Sequence, residues 1–215
     1  MDIKLDEVDI SIFVPVERLH LLIGRELTHT HMCSDEIRAN DSKAYNQAIE
    51  RSLFSYFPKK IKSIPESLGA YRFSSEFYFH VELYLKELGL ETPPSEQVCF
   101  EGELDGEWCY SLHLANTLNE ELFIADIAFQ NPLFPNKMGH TEREYKGLGN
   151  GIFDFTLKNI YGYAAQSGYK RVGLLASNTV NMEIFLRRGF VIEDNILGKL
   201  ARQYKQGYPM VNVTL

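Results

Sequence analysis

The segment Glu144–Phe190 reads EYKGLGNGIFDFTLKNIYGYAAQSGYKRVGLLASNTVNMEIFLRRGF, and three glycines stand near its start at Gly147, Gly149 and Gly151. A helical pattern follows over about residues 150–167, with apolar side chains three and four residues apart. Glycines at the start of a helix leave backbone N–H groups unpaired and accessible, and the helix dipole adds partial positive charge there. The segment therefore predicts a site that suits a phosphate group.

The second half of this segment predicts a strand, a short helix and another strand. Gly168 is suited to end the long helix, and a mostly buried strand is expected over Arg171–Ser177. Asn178 precedes a short helical pattern over 179–188 and could serve simply as its N-cap. Further strands are expected at 190–193 and 210–215.

The bulk composition is that of a folded protein with one sizeable core: 215 residues, 45% hydrophobic and 24% charged. A formal net charge of -7 argues against a large nucleic-acid-binding surface. The three cysteines, Cys33, Cys99 and Cys109, do not form an even framework, so reduced thiols are expected. No apolar run approaches the length that a membrane span needs. We therefore expect a soluble cytoplasmic protein whose partners include neither nucleic acid nor membrane.

The chain before residue 92 has a mainly helical pattern. Residues 3–13 alternate apolar and polar, which predicts a first strand, and Pro15 then starts a helix. Further helices are expected over 43–57 and from Ser74 or Ser75 to Gly89. The run His29-Thr30-His31-Met32-Cys33 has potential metal ligands, but no second cluster matches it. We expect loop or helix-end residues there, and no metal.

The chain after Pro93-Pro94 changes to a β pattern. Asp105-Gly106 between the strand-like runs 97–104 and 107–114 predicts a two-residue hairpin. Regular pairing from this turn would set Cys109 opposite Gly102 and Cys99 opposite Leu112. A third antiparallel strand is expected over 121–129, followed by a loop over 130–143.

The order of these elements resembles that of the GCN5-related N-acetyltransferase (GNAT) superfamily. The family's phosphate loop, Q/R-x-x-G-x-G/A, is similar to residues 144–149, or in a second alignment to residues 146–151. The run from Asn178 through Asn181 and Phe185 to Gly189-Phe190 is similar to the family's N-x-x-A-x-x-x-Y-x-x-x-G-F motif. Phe185 stands where many members have a tyrosine that protonates the leaving thiolate, and phenylalanine has no such proton.

The resemblance implies that acetyl-CoA, or another acyl-CoA, lies between two splayed central strands, and that the protein uses no metal. It implies cofactor contacts from three groups of residues: Ile127, Ala128 and Phe129; Tyr145, Lys146, Gly147, Leu148, Gly149 and Asn150; and Asn178, Asn181 and Phe185. Backbone N–H groups near Phe129 would bind the thioester carbonyl.

The acceptor amine must lose a proton during such a transfer. The candidate catalytic residues are Asp126, Glu103 and Tyr204, with the first two as bases and the third as an acid. Glu101 and His113 are further candidate bases, and Tyr208 or water is an alternative acid. Glutamates of the hairpin and the next strand could also form an acidic acceptor pocket, or only a solvated edge.

Together these patterns predict an α/β (α+β) fold, with a mixed, mostly antiparallel central sheet flanked by helices and a helix-rich N-terminal half. Residues 1–215 are expected to form one domain, with 1–95 as an N-terminal helical portion and 96–215 as the acyl-CoA-binding core. The implied function is acyl transfer from acyl-CoA to an amine of a small molecule, peptide or protein, by direct attack in a ternary complex. The alternative is a weakly active or inactive CoA-binding relative. Either a monomer or a homodimer is expected.

Overall fold

The structure of the chain is a computed structural model that describes residues 4–40, 96–117, 121–133 and 151–213. Its helices are α1 (Val16–Ile23), α2 (Ser34–Asn40), α3 (Gly151–Gln166), α4 (Thr179–Leu186) and α5 (Ile196–Tyr204). Its strands are β1 (Thr28–Cys33), β2 (Glu96–Leu104), β3 (Glu107–Thr117), β4 (Glu121–Phe129), β5 (Arg171–Asn178), β6 (Val191–Ile192) and β7 (Gln206–Asn212).

The strands of the described ranges form a seven-stranded sheet in the order β1-β2-β3-β4-β5-β7-β6. Neighbouring strands run antiparallel except β4 and β5, which are parallel. Since β4 and β5 are parallel, the chain must cross over between them, and the crossover includes α3. The predicted mixed, mostly antiparallel sheet flanked by helices is confirmed.

The predicted hairpin between β2 and β3 is also confirmed. Asp105 has a φ of 53° and Gly106 a φ of 83°, as both central residues of a type I′ turn require. Leu104 pairs with Glu107 across this turn. Local turn chemistry therefore determines where the hairpin folds back.

Two β-bulges change the register of the strands that leave this hairpin. Glu103 pairs with Trp108 but Gly102 pairs with Tyr110, so Cys109 is an extra residue on β3. The regular register that the sequence predicted, with Cys109 opposite Gly102 and Cys99 opposite Leu112, is wrong. Cys99 pairs with His113 instead.

The second bulge lies on β4. Leu114 pairs with Ile124 but His113 pairs with Asp126, so Ala125 is the extra residue. A bulge bends its strand and increases the local twist. This bulge directly follows the last residue of β4 that pairs with β5, which is Ile124.

One face of the sheet packs against the main hydrophobic core. Phe13 is fully buried there, with its ring centroid 6.2 Å from that of Phe100 and 5.1 Å from that of Tyr163 on α3. The N-terminal segment and α3 therefore cover the same face of the sheet.

The strand predicted over residues 3–13 is wrong. The chain instead forms two short 3-10 turns, Leu5–Glu7 and Ile10–Ile12. The Asp9 carboxylate accepts the backbone N–H of Ser11 at 2.8 Å, and such local bonds compete with strand pairing. The apolar residues of this segment, Leu5, Val8 and Phe13, are buried all the same.

Residues 28–33 form an edge strand instead of the predicted loop or helix end. The helix predicted from Pro15 is confirmed as α1, and Gly24 ends it with a φ of 75°. The helices predicted over 43–57 and 74–89 lie outside the described residues, as does most of the predicted loop over 130–143.

The C-terminal region contains a helix that the sequence reading missed. Asn195 caps α5 by accepting the backbone N–H of Gly198 at 2.9 Å. The last strand begins at Gln206, earlier than predicted, and ends at Asn212. Within the described parts of the chain, no helix is long and apolar enough to cross a membrane.

Candidate active site

Strands β4 and β5 separate along their length and leave an opening in the centre of the sheet. They pair only from Glu121 with Arg171 to Ile124 with Leu174. Beyond this point β4 continues to Phe129 beside β3, while β5 continues to Asn178 beside β7. Ile127, Ala128 and Phe129, predicted from the resemblance to contact the cofactor, lie on the part of β4 that borders the opening.

An ion pair between a buried carboxylate and a partly exposed guanidinium joins the two strands at the closed end of this opening. The Glu121 carboxylate accepts the Nε–H of Arg171 at 2.8 Å and the hydroxyl of Thr117 at 3.1 Å. The Glu121 side chain is only 2% exposed, and it lies against the backbone of Gly173. A buried carboxylate with a charged partner resists separation of the strands at this point.

Asn178 lies at the other end of β5, where it begins α4. Its side-chain oxygen accepts the backbone N–H of Asn181 at 2.9 Å, so its N-cap role is confirmed. The side-chain amide of Asn181 donates to Ser177 Oγ at 2.8 Å. Asn178 is exposed and Asn181 is half-buried, and the predicted cofactor contacts of their amides stay a prediction.

Phe185 packs inside an aromatic cluster between α3 and α4. Its ring centroid lies 5.9 Å from that of Phe153 on α3 and 5.5 Å from that of Phe190. Its side chain is buried, and its cofactor contact also stays a prediction. The position supplies packing between the two helices and no hydroxyl proton.

The glycine-rich loop itself, with Tyr145, Lys146, Gly147, Leu148, Gly149 and Asn150, lies outside the described residues. The helix that follows it, α3, is confirmed and begins at Gly151. The guanidinium of Arg18 lies beside this helix start, since a β-carbon added at Gly151 would be 3.5 Å from Arg18 Nη2. Sequence reasoning missed this cation, because nothing in the pattern of residues 15–23 indicates that α1 ends up beside α3.

A cavity of about 410 Å³ lies on the sheet face opposite the main core, where β4 borders the opening. Its described lining consists of Met32, Ile37, Cys99, Glu101, Ser111, His113 and Asp126. Six of these residues belong to two adjacent cross-strand rows. The first row runs Met32, Cys99, His113, Asp126, and the second contains the pair Glu101 and Ser111.

The two bulges bring these side chains to one face. If β2 and β3 paired regularly from the turn, with no bulge at Cys109, Leu112 would lie on the cavity face in place of His113. If β3 and β4 paired regularly from Ile124, with no bulge at Ala125, Asp126 would lie opposite Leu112, on the core face. The polar lining thus depends on two register shifts that side-chain alternation does not reveal.

His113 is held in a fixed orientation at the cavity wall. It is 2% exposed, and its Nε2 lies 2.8 Å from Oε1 of the buried Gln97. With that oxygen as acceptor, Nε2 carries the proton and Nδ1 is the basic nitrogen of the neutral ring. The backbone N–H of Gln97 in turn donates to Ser34 Oγ at 2.9 Å, which ties β2 to the start of α2.

The predicted catalytic residues are brought together only in part. Asp126 lines the cavity and is exposed to it, together with the alternative bases Glu101 and His113. Glu103 is exposed nearer the hairpin turn, where it pairs with Trp108 and Thr28, and is not among the lining residues.

The candidate acids both lie near the C-terminal strand. Tyr204 is half-buried at the end of α5. Tyr208 is buried beside Ala176 on β5, with its hydroxyl 3.2 Å from Thr179 Oγ1 at the start of α4. The hydroxyl of Tyr208 therefore contacts the start of α4, directly after the end of β5.

The thiols and histidines of the described residues give no sign of metal chemistry. No group of three or more His, Cys, Asp or Glu residues in these ranges is arranged to hold a metal ion. His31 stacks on Phe100, with ring centroids 4.9 Å apart, and the three cysteines are free thiols. Burial raises the pKa of Cys109 to about 12, so that thiol stays protonated at neutral pH.

Comparison with known proteins adds likenesses in fold. No protein-family model and no curated protein matches this sequence. Among solved structures, it is similar to a protein from Lactobacillus plantarum presumed to be an N-acetyltransferase, at 14% identity and a TM-score of 0.38. That match covers 87% of this chain and 99% of the other.

Two further similar solved structures have acyl-CoA or acetyl-CoA in their names. An acyl-CoA N-acyltransferase from Pseudomonas aeruginosa matches at 12% identity and a TM-score of 0.36, over 87% of this chain and 99% of the other. A GNAT family acetyltransferase from Elizabethkingia anophelis with acetyl-CoA bound matches at 18% identity and a TM-score of 0.34, over 70% and 88%.

Proposed function

We propose that the chain is an acyl-CoA-dependent N-acyltransferase that transfers an acetyl group, or another acyl group, to an amine. The observation that carries the proposal is the opening between β4 and β5, beside a cavity with carboxylate side chains on its wall. Strand β4 borders both, so a thioester in the opening and an amine in the cavity would meet at the bulge of β4.

The acyl-CoA site in this proposal uses backbone groups more than side chains. The part of β4 beyond Ile124 has no ladder partner on β5, so its edge can bond an extended pantetheine arm. The start of α3 with the nearby Arg18 is suited to the phosphate groups. A backbone N–H near Phe129 would stabilise the oxyanion, an effect worth about 3 kcal/mol per donor.

The reaction is a direct transfer. The neutral amine attacks the thioester carbonyl carbon, a C–N bond forms, and the C–S bond breaks with its electron pair going to sulfur. Asp126 takes the proton that the amine loses, and His113 is the alternative base. Phe185 has no proton to give, so the thiolate receives one from water or from the hydroxyl of Tyr208.

The remaining features of the proposal concern partners and location. The acceptor is an amine-bearing small molecule, peptide or protein, and the protein acts as a monomer or homodimer. Its three free thiols fit a cytoplasmic location. No metal, nucleic acid or membrane takes part.

The test is to follow thiol release from acetyl-CoA by the full chain with a panel of primary amines. The expected result is amine-dependent release of CoA, with one N-acetylated amine formed per thiol. The absence of CoA release with every amine, in protein that binds acetyl-CoA by calorimetry, would contradict the proposal.

A second candidate function is a CoA-binding protein without acyl transfer. The burial of Phe185 between Phe153 and Phe190 favours it, because this position supplies no acid for the leaving thiolate. The two functions differ in one result: a binding protein would show a calorimetric signal with CoA but no N-acylated product.

A further inference from the structure

Two histidines meet where helix α1 is followed by strand β1. His20 lies in the last turn of α1 and is half-buried, and His29 lies on β1 and is exposed. Their ring centroids are 5.5 Å apart. Since β1 is the edge strand of the described sheet, this pair connects the edge to the helix that precedes it.

The ring of His20 accepts a hydrogen bond, which a ring nitrogen can do only when it carries no proton. Its Nε2 lies 3.2 Å from the backbone nitrogen of Leu27 and accepts that N–H. The neutral ring therefore carries its hydrogen on Nδ1. Leu27 is buried, and a buried N–H without an acceptor is unfavourable. A proton on Nε2 would thus break this bond and set two donors against each other.

The ring of His29 has a partner of its own in the core. Its Nδ1 lies 2.8 Å from the hydroxyl of Tyr110 on β3, and Tyr110 is fully buried. Burial raises the pKa of Tyr110, so its hydroxyl keeps its proton and can donate it to the neutral imidazole. A protonated imidazole has hydrogen on both nitrogens and cannot accept this bond. Both contacts therefore favour neutral rings.

The charged groups around the pair do not compensate two added protons. Partial burial and the nearby His20 lower the pKa of His29, while Asp9 on the N-terminal segment acts in the opposite direction. Asp9 also attracts His31, two residues further along β1. On β2 the residue opposite His29 is Gly102, which carries no charge. Two imidazolium rings 5.5 Å apart would therefore repel each other with little compensation.

We propose that His20 and His29 form an acid-sensitive latch, which holds α1 and β1 together while both rings are neutral and releases them when both are protonated. The latch consists of the two hydrogen bonds to Leu27 and Tyr110. It is a property of the fold and does not depend on the proposed acyl transfer.

The direction of the pH dependence follows from the lowered pKa of His29. A histidine whose pKa is lower in the folded than in the unfolded chain contributes its full stability above the ordinary value of 6.5. That contribution is lost as the pH falls from there through the folded-state pKa. The latch is therefore closed at neutral pH and opens in acid.

The first test compares urea unfolding of the full chain and of His20→Gln/His29→Gln, each at about pH 7.5 and about pH 5. Glutamine can still accept a hydrogen bond but does not titrate. On acidification, we expect the unfolding equilibrium constant of the unaltered chain to rise at least about ten-fold more than that of the variant, the equivalent of one pKa unit. His31→Gln is the matched control, because His31 lies on the same strand and stacks on Phe100, so this variant should keep the ten-fold excess.

The second test observes the latch directly by nuclear magnetic resonance. We expect His29 to titrate at a lower pH than His31, and its midpoint to move up in His20→Gln, where the neighbouring charge is absent. Protection of the Leu27 amide from hydrogen exchange, corrected for the intrinsic rate, should fall about ten-fold or more between neutral and acid pH. The amide of Tyr169, bonded at 2.9 Å in the turn after α3, is the control and should keep its protection.

Each outcome decides for or against the latch. Equal pH dependence of unfolding in the unaltered chain and the double variant would overturn it, as would unchanged protection of Leu27 in acid. If the double variant does not fold, the measurements on the unaltered chain decide alone, and a midpoint of His29 at or above that of His31 contradicts the latch. Neither result bears on acyl transfer, which thiol release tests separately.

Discussion

Asp126 faces the cavity because the bulge at Ala125 shifts the register of β4 against β3 by one residue. As the proposed base it lies where β4 borders both the cavity and the opening. Asp126→Asn keeps the size of the side chain and removes its basicity. We expect kcat for amine acylation to fall about 100-fold or more, the usual contribution of a general base.

The measurement for Asp126 is kcat and KM for thiol release, with CoA affinity measured alongside by calorimetry. Asp194→Asn is the control, since Asp194 is highly exposed and its Oδ1 lies 4.0 Å from Arg202 Nη1. Unchanged kcat in Asp126→Asn would remove Asp126 from the mechanism and leave His113 as the base to test.

Gly173 permits the close approach of the Glu121 carboxylate at the closed end of the opening. A β-carbon at this position would lie 2.6 Å from the carboxyl carbon of Glu121, far inside contact distance. Gly173→Ala should therefore lower the free energy of unfolding by about 1–3 kcal/mol, the usual cost of overpacking.

Urea unfolding of Gly173→Ala is best compared with that of Gly162→Ala. Gly162 lies within α3 and has no atom within 4 Å of an added β-carbon, so alanine should be neutral or stabilise by about 0.5–1 kcal/mol. Equal unfolding free energies for the two variants would show that Glu121 does not depend on the glycine.

Residues with strong local preferences could be predicted from the sequence. Asp105 and Gly106 adopt positive φ, Asn178 caps α4, and Gly168 and Gly189 adopt positive φ after helices. Each outcome depends on backbone conformation or on a hydrogen bond within a few residues. The neighbours of Arg18 and Glu101 depend on distant parts of the chain, so the site could be predicted only in part.

At the scale of elements, the β4 bulge lies where β4 and β5 stop pairing, and we expect it to keep the two strands apart. It follows Ile124, the last residue paired with β5. With Ala125 deleted, Ile124 and Asp126 become consecutive, and each can keep its partner on β3, Leu114 and His113. We expect the strand to straighten towards β5 and CoA affinity to fall by at least about ten-fold, because the opening narrows.

Deletion of Cys109 is the matched comparison, because it removes the other bulge at a distance from the opening. This variant loses a buried thiol and some stability but should retain CoA affinity. Calorimetry with CoA, on variants shown by circular dichroism to be folded, decides between them. Equal affinity in both deletions would contradict a role of the β4 bulge in forming the opening.

Elements with an alternating or helical pattern and clear ends were predictable, among them β4, α3 and β5. Residues 3–13 show the limit of that reasoning. Their alternation is real, and their apolar residues are buried, but they lie over the core in two 3-10 turns instead of joining the sheet. Alternation reports which side chains are buried and not which backbone bonds form. The two bulges could not be predicted from the sequence either, because they too are features of backbone pairing.

At the scale of the whole molecule, the described strands form one sheet with an opening at its centre and a cavity beside it. The main core and α3 support one face, and the ion pair of Glu121 with Arg171 holds the closed end. The order of elements predicted this architecture, because parallel β4 and β5 need a crossover helix between them. The acceptor site was not predictable at this scale, since it depends on register.

Acyl transfer from acyl-CoA to an amine is tested most directly by isotope tracing. The full chain is incubated with acetyl-CoA that carries a labelled acetyl group and with a panel of primary amines, and the products are followed by mass spectrometry. We expect protein-dependent formation of a labelled N-acetylated amine and free CoA in equal amounts. Labelled acetyl-CoA that is bound but stays intact with every amine would contradict acyl transfer.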